Sequence, residues 1–181
     1  MLLAALLVYF IEPLKLAAFA GAILLHELGH AVVLKLFGYS ISTLSIGYCG
    51  FNMKYHGSGS EGEEFAAALA GPLVGMTLAI LCVYAKNVSL SAFAKINVYL
   101  SAFNMLPVYP LDGGRAARIL LHRRLDSQCC DRILQVFAEA VSLLLMFSGL
   151  CFLSGGTGIR LICVAVWLLC GNFLQIPTQL F

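Results

Sequence analysis

Long apolar runs are the feature of this chain that most limits the folds open to it. A helix that crosses a bilayer needs about 20 apolar residues. The runs that come near this length are residues 16–37, 64–85, 90–107, 133–153 and 159–176. The composition agrees, because 61% of the residues are hydrophobic and only 11% are charged, whereas a soluble domain carries about a quarter charged residues. We therefore expect an integral membrane protein.

The expected fold class is an all-α polytopic membrane protein with about six transmembrane helices and a small membrane-associated β-hairpin. Residues 1–11 are the sixth apolar segment, which is too short to cross alone and ends at Glu12-Pro13, where a helix should break. The hairpin is predicted over residues 39–56, where two strand-like stretches flank a turn signal at Cys49-Gly50. Ser60 and Glu63 then fit a capping box that opens the next helix.

The charge pattern predicts the orientation and excludes one class of partner. A net charge of +2, with no basic arm, does not suit nucleic-acid binding. The connection 113–132 carries five arginines, and the positive-inside rule places it in the cytoplasm. Counting back through the spans places the hairpin there too. We expect a multi-pass membrane protein with this connection and the hairpin on the cytoplasmic side.

The run 16–37 contains an unusual group of ionisable residues, since residues 26–30 read H-E-L-G-H. Positions i and i+4 share one helix face, so the imidazoles of His26 and His30 can bind one Zn²⁺ ion. Glu27 lies between them and can act as the base for the attacking water. Ionisable groups in hydrocarbon cost about 3 kcal/mol or more each, which favours a functional role. The alternative is a pair of histidines hydrogen-bonded between helices, with Glu27 paired.

The third ligand is predicted from a second segment. A catalytic zinc has three protein ligands and one open position. Residues 104–115 read N-M-L-P-V-Y-P-L-D-G-G-R. Pro107 and Pro110 end a helix, so Asp112 is expected on non-helical backbone at the cytoplasmic rim, where water can reach it. Asp112 is the predicted ligand. The alternative is an ordinary span-ending loop in which Asp112 is solvated or paired with Arg115.

Together, the two segments resemble the site-2 protease family of intramembrane zinc metalloproteases, peptidase family M50, and within it the sporulation type. The residues that carry the second motif are Asn104, Pro107, Pro110, Leu111, Asp112 and Gly113, and Leu69-Ala-Gly-Pro72 is similar to the family's A-G-P element. The resemblance implies the zinc ligands His26, His30 and Asp112 and the general base Glu27. It also implies that Asn104 helps to hold substrate, for which the alternative is a hydrogen bond between helices.

The resemblance also implies the reaction and the partners. The expected function is hydrolysis of a peptide bond within or next to a transmembrane segment of a membrane-bound substrate, such as a pro-sigma factor or another regulatory protein of sporulation. The partners are that substrate and the lipid bilayer, and inhibitory membrane partners fit the same scheme. One transmembrane metalloprotease core is expected over residues 1–181, without the C-terminal CBS domain of the sporulation enzymes.

Three further points stay open on the sequence. The hairpin could bind an unwound substrate by β-augmentation, or it could seal the cytoplasmic face. Gly71-Pro72 is expected to serve helix packing or a kink rather than chemistry. A membrane divalent-metal transporter could use the same ionisable residues, although the chain lacks the paired halves typical of transporters. A protease-like module that binds without cutting is the other alternative, and the intact Glu27 argues against it.

Overall fold

The computed structural model describes residues 13–47, 50–57, 59–85, 88–153 and 157–175. Within these residues the chain is mostly helical, with six helices and one two-stranded sheet. The elements in chain order are α1 (Pro13–Leu36), β1 (Ser40–Gly47), β2 (Gly50–His56), α2 (Glu61–Tyr84), α3 (Val88–Asn104), α4 (Asp112–His122), α5 (Ser127–Cys151) and α6 (Thr157–Gln175). They divide into two compact units, which meet in the sequence between Leu106 and Pro107.

The first unit is built on three helices that all contact one another, α1, α2 and α3. Small residues allow the helices to approach closely. A Cβ atom built on Gly29 of α1 would lie 3.0 Å from the carbonyl oxygen of Ala70 in α2. Gly75 of α2 packs against the side-chain oxygen of Ser101 in α3. Small residues at such crossings are typical of helix packing in membranes, where close van der Waals contact takes the place of the hydrophobic effect.

The predicted β-hairpin is confirmed. β1 and β2 pair antiparallel, from Ser40 opposite His56 to Gly47 opposite Gly50, with one irregularity between Ile41 and Thr43. The predicted turn residue Cys49 lies outside the described residues. Where the chain leaves α1 for β1, the buried Tyr39 packs edge-on against Tyr55, and a small core cluster with Leu34 and Ala67 anchors the hairpin to the helices.

The predicted capping box at the start of α2 is also confirmed. The Glu63 backbone N–H donates to Ser60 Oγ over 3.4 Å, and the Ser60 N–H donates to Glu63 Oε2 over 3.2 Å. Three glutamates stand in the first turn, Glu61, Glu63 and Glu64, where negative charge interacts favourably with the helix dipole. Pro72 lies inside α2 without ending it.

The second unit contains α4, α5 and α6. The predicted connection 113–132 is largely helical, because α4 ends only at His122 and α5 begins at Ser127. Arg118 of α4 donates to Asp131 of α5 over 2.9 Å, which joins the two helices. α5 and α6 approach each other closely at Gly149, where an added Cβ would lie 2.9 Å from the Gly158 oxygen.

Three helices among the described residues are long and apolar enough to cross a membrane: Leu16–Leu36, Glu61–Tyr84 and Ser127–Cys151. Most of the predicted spans 90–107 and 159–176 lies in α3 and α6, but these helices are shorter. α3 has 17 residues, and the apolar helical stretch of α6 is Gly158–Gly171. The count of six transmembrane helices therefore stays a prediction, and residues 1–11 lie outside the described residues.

Candidate metal centre

Two buried imidazoles form the centre of the candidate site. His26 and His30 lie one turn apart on α1 and are only 4% and 7% exposed. Their rings meet edge-on, with centroids 4.9 Å apart. The two Nε2 atoms are 3.3 Å apart. The i, i+4 spacing thus brings the Nε2 atoms of the two rings close together, as the motif predicts.

The tautomer of one ring follows from its hydrogen bond. Nδ1 of His30 lies 2.7 Å from the carbonyl oxygen of Ala67 in α2. A carbonyl oxygen only accepts, so Nδ1 carries the proton and donates it. The Nε2 atom of the neutral His30 ring is then an acceptor, which is the form that binds a metal. In metal sites, a backbone carbonyl commonly accepts a hydrogen bond from a ligating histidine and orients its ring in this way.

The spacing of the two nitrogens fits a shared zinc ion. Two Zn–N bonds of about 2.0–2.1 Å at a tetrahedral angle hold their nitrogens about 3.3–3.4 Å apart. The distance between Nε2 of His26 and Nε2 of His30 is 3.3 Å. The spacing therefore fits a zinc ion shared by the two imidazoles, and it also fits a hydrogen bond between the two rings.

Glu27 follows His26 directly on α1 and is half-buried. One residue along a helix is a rotation of about 100°, so its carboxylate does not project with the imidazoles. This offset suits a group that acts on water beside the metal rather than on the metal itself.

Gly71 lies at this site, although the sequence analysis did not identify it as a site residue. It is buried on α2, and a Cβ atom built on it would be in contact with Nε2 of His30 and 2.8 Å from Nε2 of His26. The only signal in the sequence was its place in the A-G-P element, which was interpreted as helix packing. No periodicity in α2 indicates that this position faces the two imidazoles.

Asp112 belongs to the second unit, and its backbone differs from the prediction. It is the first residue of α4 rather than part of a non-helical stretch, and Leu111 before it is extended. The break predicted from Pro107 and Pro110 is present, because α3 ends at Asn104 and α4 begins only at Asp112. The helix restarts directly after the prolines, since an aspartate in the first turn interacts favourably with the helix dipole.

The turn before α4 is packed tightly. A Cβ on Gly114 would lie 2.7 Å from the carbonyl carbon and oxygen of Val108, which is fully buried, so only glycine fits there. Burial raises the pKa of the Tyr109 phenol above its ordinary value, although the charge of Arg118 acts in the opposite direction. The phenol is therefore protonated at neutral pH. These contacts fix the backbone that carries Asp112.

Asn104 is the last residue of α3 and belongs to the first unit. Its side-chain amide donates to the Leu100 oxygen over 3.1 Å, and the residue is half-buried. Its spacing from Asn97 and Ser101 puts all three polar side chains on one face of α3. This hydrogen bond within the helix leaves the carbonyl oxygen of the Asn104 side chain to interact elsewhere. A role in holding substrate stays a prediction.

Comparisons with known proteins find similar metalloproteases. The model of peptidase family M50 matches residues 86–148, which include Asn104 and Asp112. A zinc metalloprotease of Methanocaldococcus jannaschii is 28% identical over 71% of this chain and 40% of its own length. Stage IV sporulation protein FB of Bacillus subtilis is 31% identical over 61% of this chain and 41% of its own. The chain thus covers about two fifths of the length of these relatives.

A solved structure matches almost the whole chain. The site-2 protease from Methanocaldococcus jannaschii superposes with a TM-score of 0.74 and 24% identity, over 96% of this chain and 84% of that one. This match shows the fold. The chain is thus similar to zinc metalloproteases, matches the model of peptidase family M50 over residues 86–148 and has the site-2 protease fold.

Proposed function

We propose that this chain is a zinc-dependent intramembrane endopeptidase, which hydrolyses a peptide bond within or next to a transmembrane segment of its substrate. The observation that carries the proposal is the buried histidine pair. Two imidazoles within an apolar helix present Nε2 atoms 3.3 Å apart, with a glutamate next to one of them in the sequence. Such groups are expensive in a membrane and are kept for function.

In this proposal His26, His30 and Asp112 are the three protein ligands of the zinc ion. The donor set of two imidazole nitrogens and one carboxylate oxygen is typical of catalytic zinc, which keeps one position open. When bound, the ion polarises the scissile carbonyl and makes water a better nucleophile. Support for Asp112 comes from its L-D-G motif and its fixed place at the start of α4.

Glu27 is proposed as the general base. Its carboxylate takes a proton from the attacking water and later delivers that proton to the leaving amine. The imidazole of His30 is held for the reaction by its 2.7 Å hydrogen bond to Ala67. Asn104 is proposed to donate a hydrogen bond to substrate or accept one from it at the end of α3. Mutation of a general base typically reduces the rate about 10²- to 10⁴-fold.

The hairpin is proposed to hold the substrate in an extended form. A helical substrate hides its peptide bonds, so it must unwind locally before attack. Among the residues that the structure describes, the sheet has two strands, so each strand has an outer edge with backbone groups that can pair with an extended peptide. We place the site towards the cytoplasmic side of a bacterial membrane. The substrate class would be a membrane-bound regulatory protein, such as a pro-sigma factor.

The test is co-expression of the chain with tagged candidate substrates that each carry one transmembrane segment. Wild type is compared with Glu27→Gln, and the matched control is Glu61→Gln, which alters an exposed glutamate at the start of α2. We expect cleavage by wild type and the control. Cleavage by Glu27→Gln should fall at least 100-fold, in line with loss of a general base, while the zinc content of the purified protein stays the same.

Two companion variants and two outcomes complete the test. His26→Ala and Asp112→Ala should lose both zinc and cleavage, and chelation of zinc from wild type should stop cleavage reversibly. Undiminished cleavage by Glu27→Gln would overturn the role given to that residue. Zinc flux into liposomes without any proteolysis would support a transporter instead.

A further inference from the structure

Gly71 of α2 lies directly beside the two metal-binding nitrogens. A Cβ atom on Gly71 would be in contact with Nε2 of His30, 2.8 Å from Nε2 of His26 and 2.8 Å from Cδ2 of His30. Atoms as close as this cannot coexist without a shift of the imidazoles or of the helix. The residue is buried within the contact between α1 and α2, so little room exists for such a shift.

The absent side chain of Gly71 would lie close to the place that an ion bound by both imidazoles would take. A zinc ion bound by both histidines lies about 2.0–2.1 Å from each Nε2 atom. The first side-chain atom at position 71 would also be close to both of these nitrogens. A methyl group there would therefore compete with the ion for the same volume and would cover the lone pairs that bind it.

We propose that Gly71 is a space-determining residue of the metal site, whose missing side chain provides the volume that the zinc ion occupies between α1 and α2. This inference rests on the proposed zinc site and adds a residue to it. The inference explains why this position carries glycine, although alanine would stabilise the interior of an ordinary helix more than glycine does.

Other glycines of α2 show that this environment is particular to Gly71. A Cβ on Gly62 would meet only Ser60 Oγ, at an ordinary 3.8 Å. A Cβ on Gly75, one turn further along the same face, would meet the hydroxyl of Ser101, and that hydroxyl can rotate away. Neither change reaches an imidazole nitrogen. Gly62→Ala and Gly75→Ala are therefore matched controls for the same substitution in the same helix.

The experiment measures zinc binding by the full chain in detergent, with Zn²⁺ alone as the ligand and a chelator as competitor. Wild type, Gly71→Ala and the two control variants are compared, and His26→Ala gives the background from other zinc-binding groups. Thermal unfolding of each metal-free form is recorded in parallel. We expect Gly71→Ala to bind zinc at least tenfold more weakly than wild type and both controls to bind it normally. The metal-free Gly71→Ala protein should still be folded, although the contact of the added Cβ with the imidazoles should lower its unfolding temperature.

Three outcomes would overturn the inference, and they differ from one another. If Gly71→Ala binds zinc as tightly as wild type, the space at Gly71 is not needed, while the proposed protease is unaffected. If Gly75→Ala loses zinc as much as Gly71→Ala does, or if metal-free Gly71→Ala is unfolded, helix packing explains the glycine. If wild type binds no more zinc than His26→Ala, the proposed zinc site itself fails.

Discussion

The contact between α1 and α2 at Gly29 leads to a prediction whose size can be worked out. Gly29 is buried and directly precedes His30. A Cβ on Gly29 would lie 2.9 Å from Cγ2 of Val74 and 3.0 Å from the carbonyl oxygen of Ala70. Carbon contacts in folded proteins are favourable at about 3.5–4.0 Å. The substitution Gly29→Ala therefore forces α1 and α2 apart by several tenths of an ångström or requires both partners to move.

Two opposing effects set the magnitude. Overpacking of a close contact typically costs about 1–3 kcal/mol. Alanine is favoured over glycine within a helix by about 0.5–1 kcal/mol. The overpacking wins, because one of the two contacts is with backbone that cannot rotate away, and we expect a net loss of about 0.5–2 kcal/mol in the free energy of unfolding. Separation of the helices also lengthens the bond between His30 and Ala67, so zinc binding should weaken.

The assay is equilibrium unfolding in detergent micelles, with Gly21→Ala as the matched control. Gly21 lies in the same helix, but a Cβ there would meet only Phe93 Cε2 at 4.0 Å, so alanine should be neutral or stabilising at this position. The double variant Gly29→Ala/Val74→Ala, corrected for Val74→Ala alone, should recover part of the loss but not all of it, since the contact with the Ala70 oxygen remains. Equal stability of Gly29→Ala and Gly21→Ala would refute the tight contact.

Two further predictions concern polar groups of the first unit. Ser60→Ala removes the capping hydroxyl that accepts from Glu63 and should lower the free energy of unfolding by about 0.5–2 kcal/mol. Ser60→Asp can also cap the helix and should keep most of the wild-type stability. An unchanged stability of Ser60→Ala would contradict the role of the cap. Ser101 is fully buried, and its hydroxyl has no hydrogen-bond partner among the described residues, so Ser101→Ala should be neutral or stabilising by up to about 1 kcal/mol. A loss above about 1 kcal/mol in the same unfolding assay would mean that the hydroxyl does have a partner, for example a buried water.

Local patterns in the sequence predicted the parts of the fold that depend on local physics. The alternation of apolar residues and the turn signal predicted the hairpin, and Ser60 with Glu63 predicted the start of α2. Both are decided by contacts between residues close in the sequence. The predicted ends of helices were less accurate in segments whose charges suggested a connection but whose residues form helix. The arginine-rich segment 113–132 was interpreted as a connection, although much of it forms α4 and the first turn of α5, where charged side chains extend from exposed helix faces.

The sequence by itself determined the imidazole pair of the candidate site. The spacing of His26 and His30 brings them together on any regular helix, because 3.6 residues per turn align positions i and i+4. Only the tertiary structure decided which atoms complete their surroundings. The carbonyl of Ala67 that fixes the tautomer of His30 and the bare backbone of Gly71 beside both rings come from another helix. How two helices are rotated and spaced depends on packing along their whole length, and no short motif encodes it.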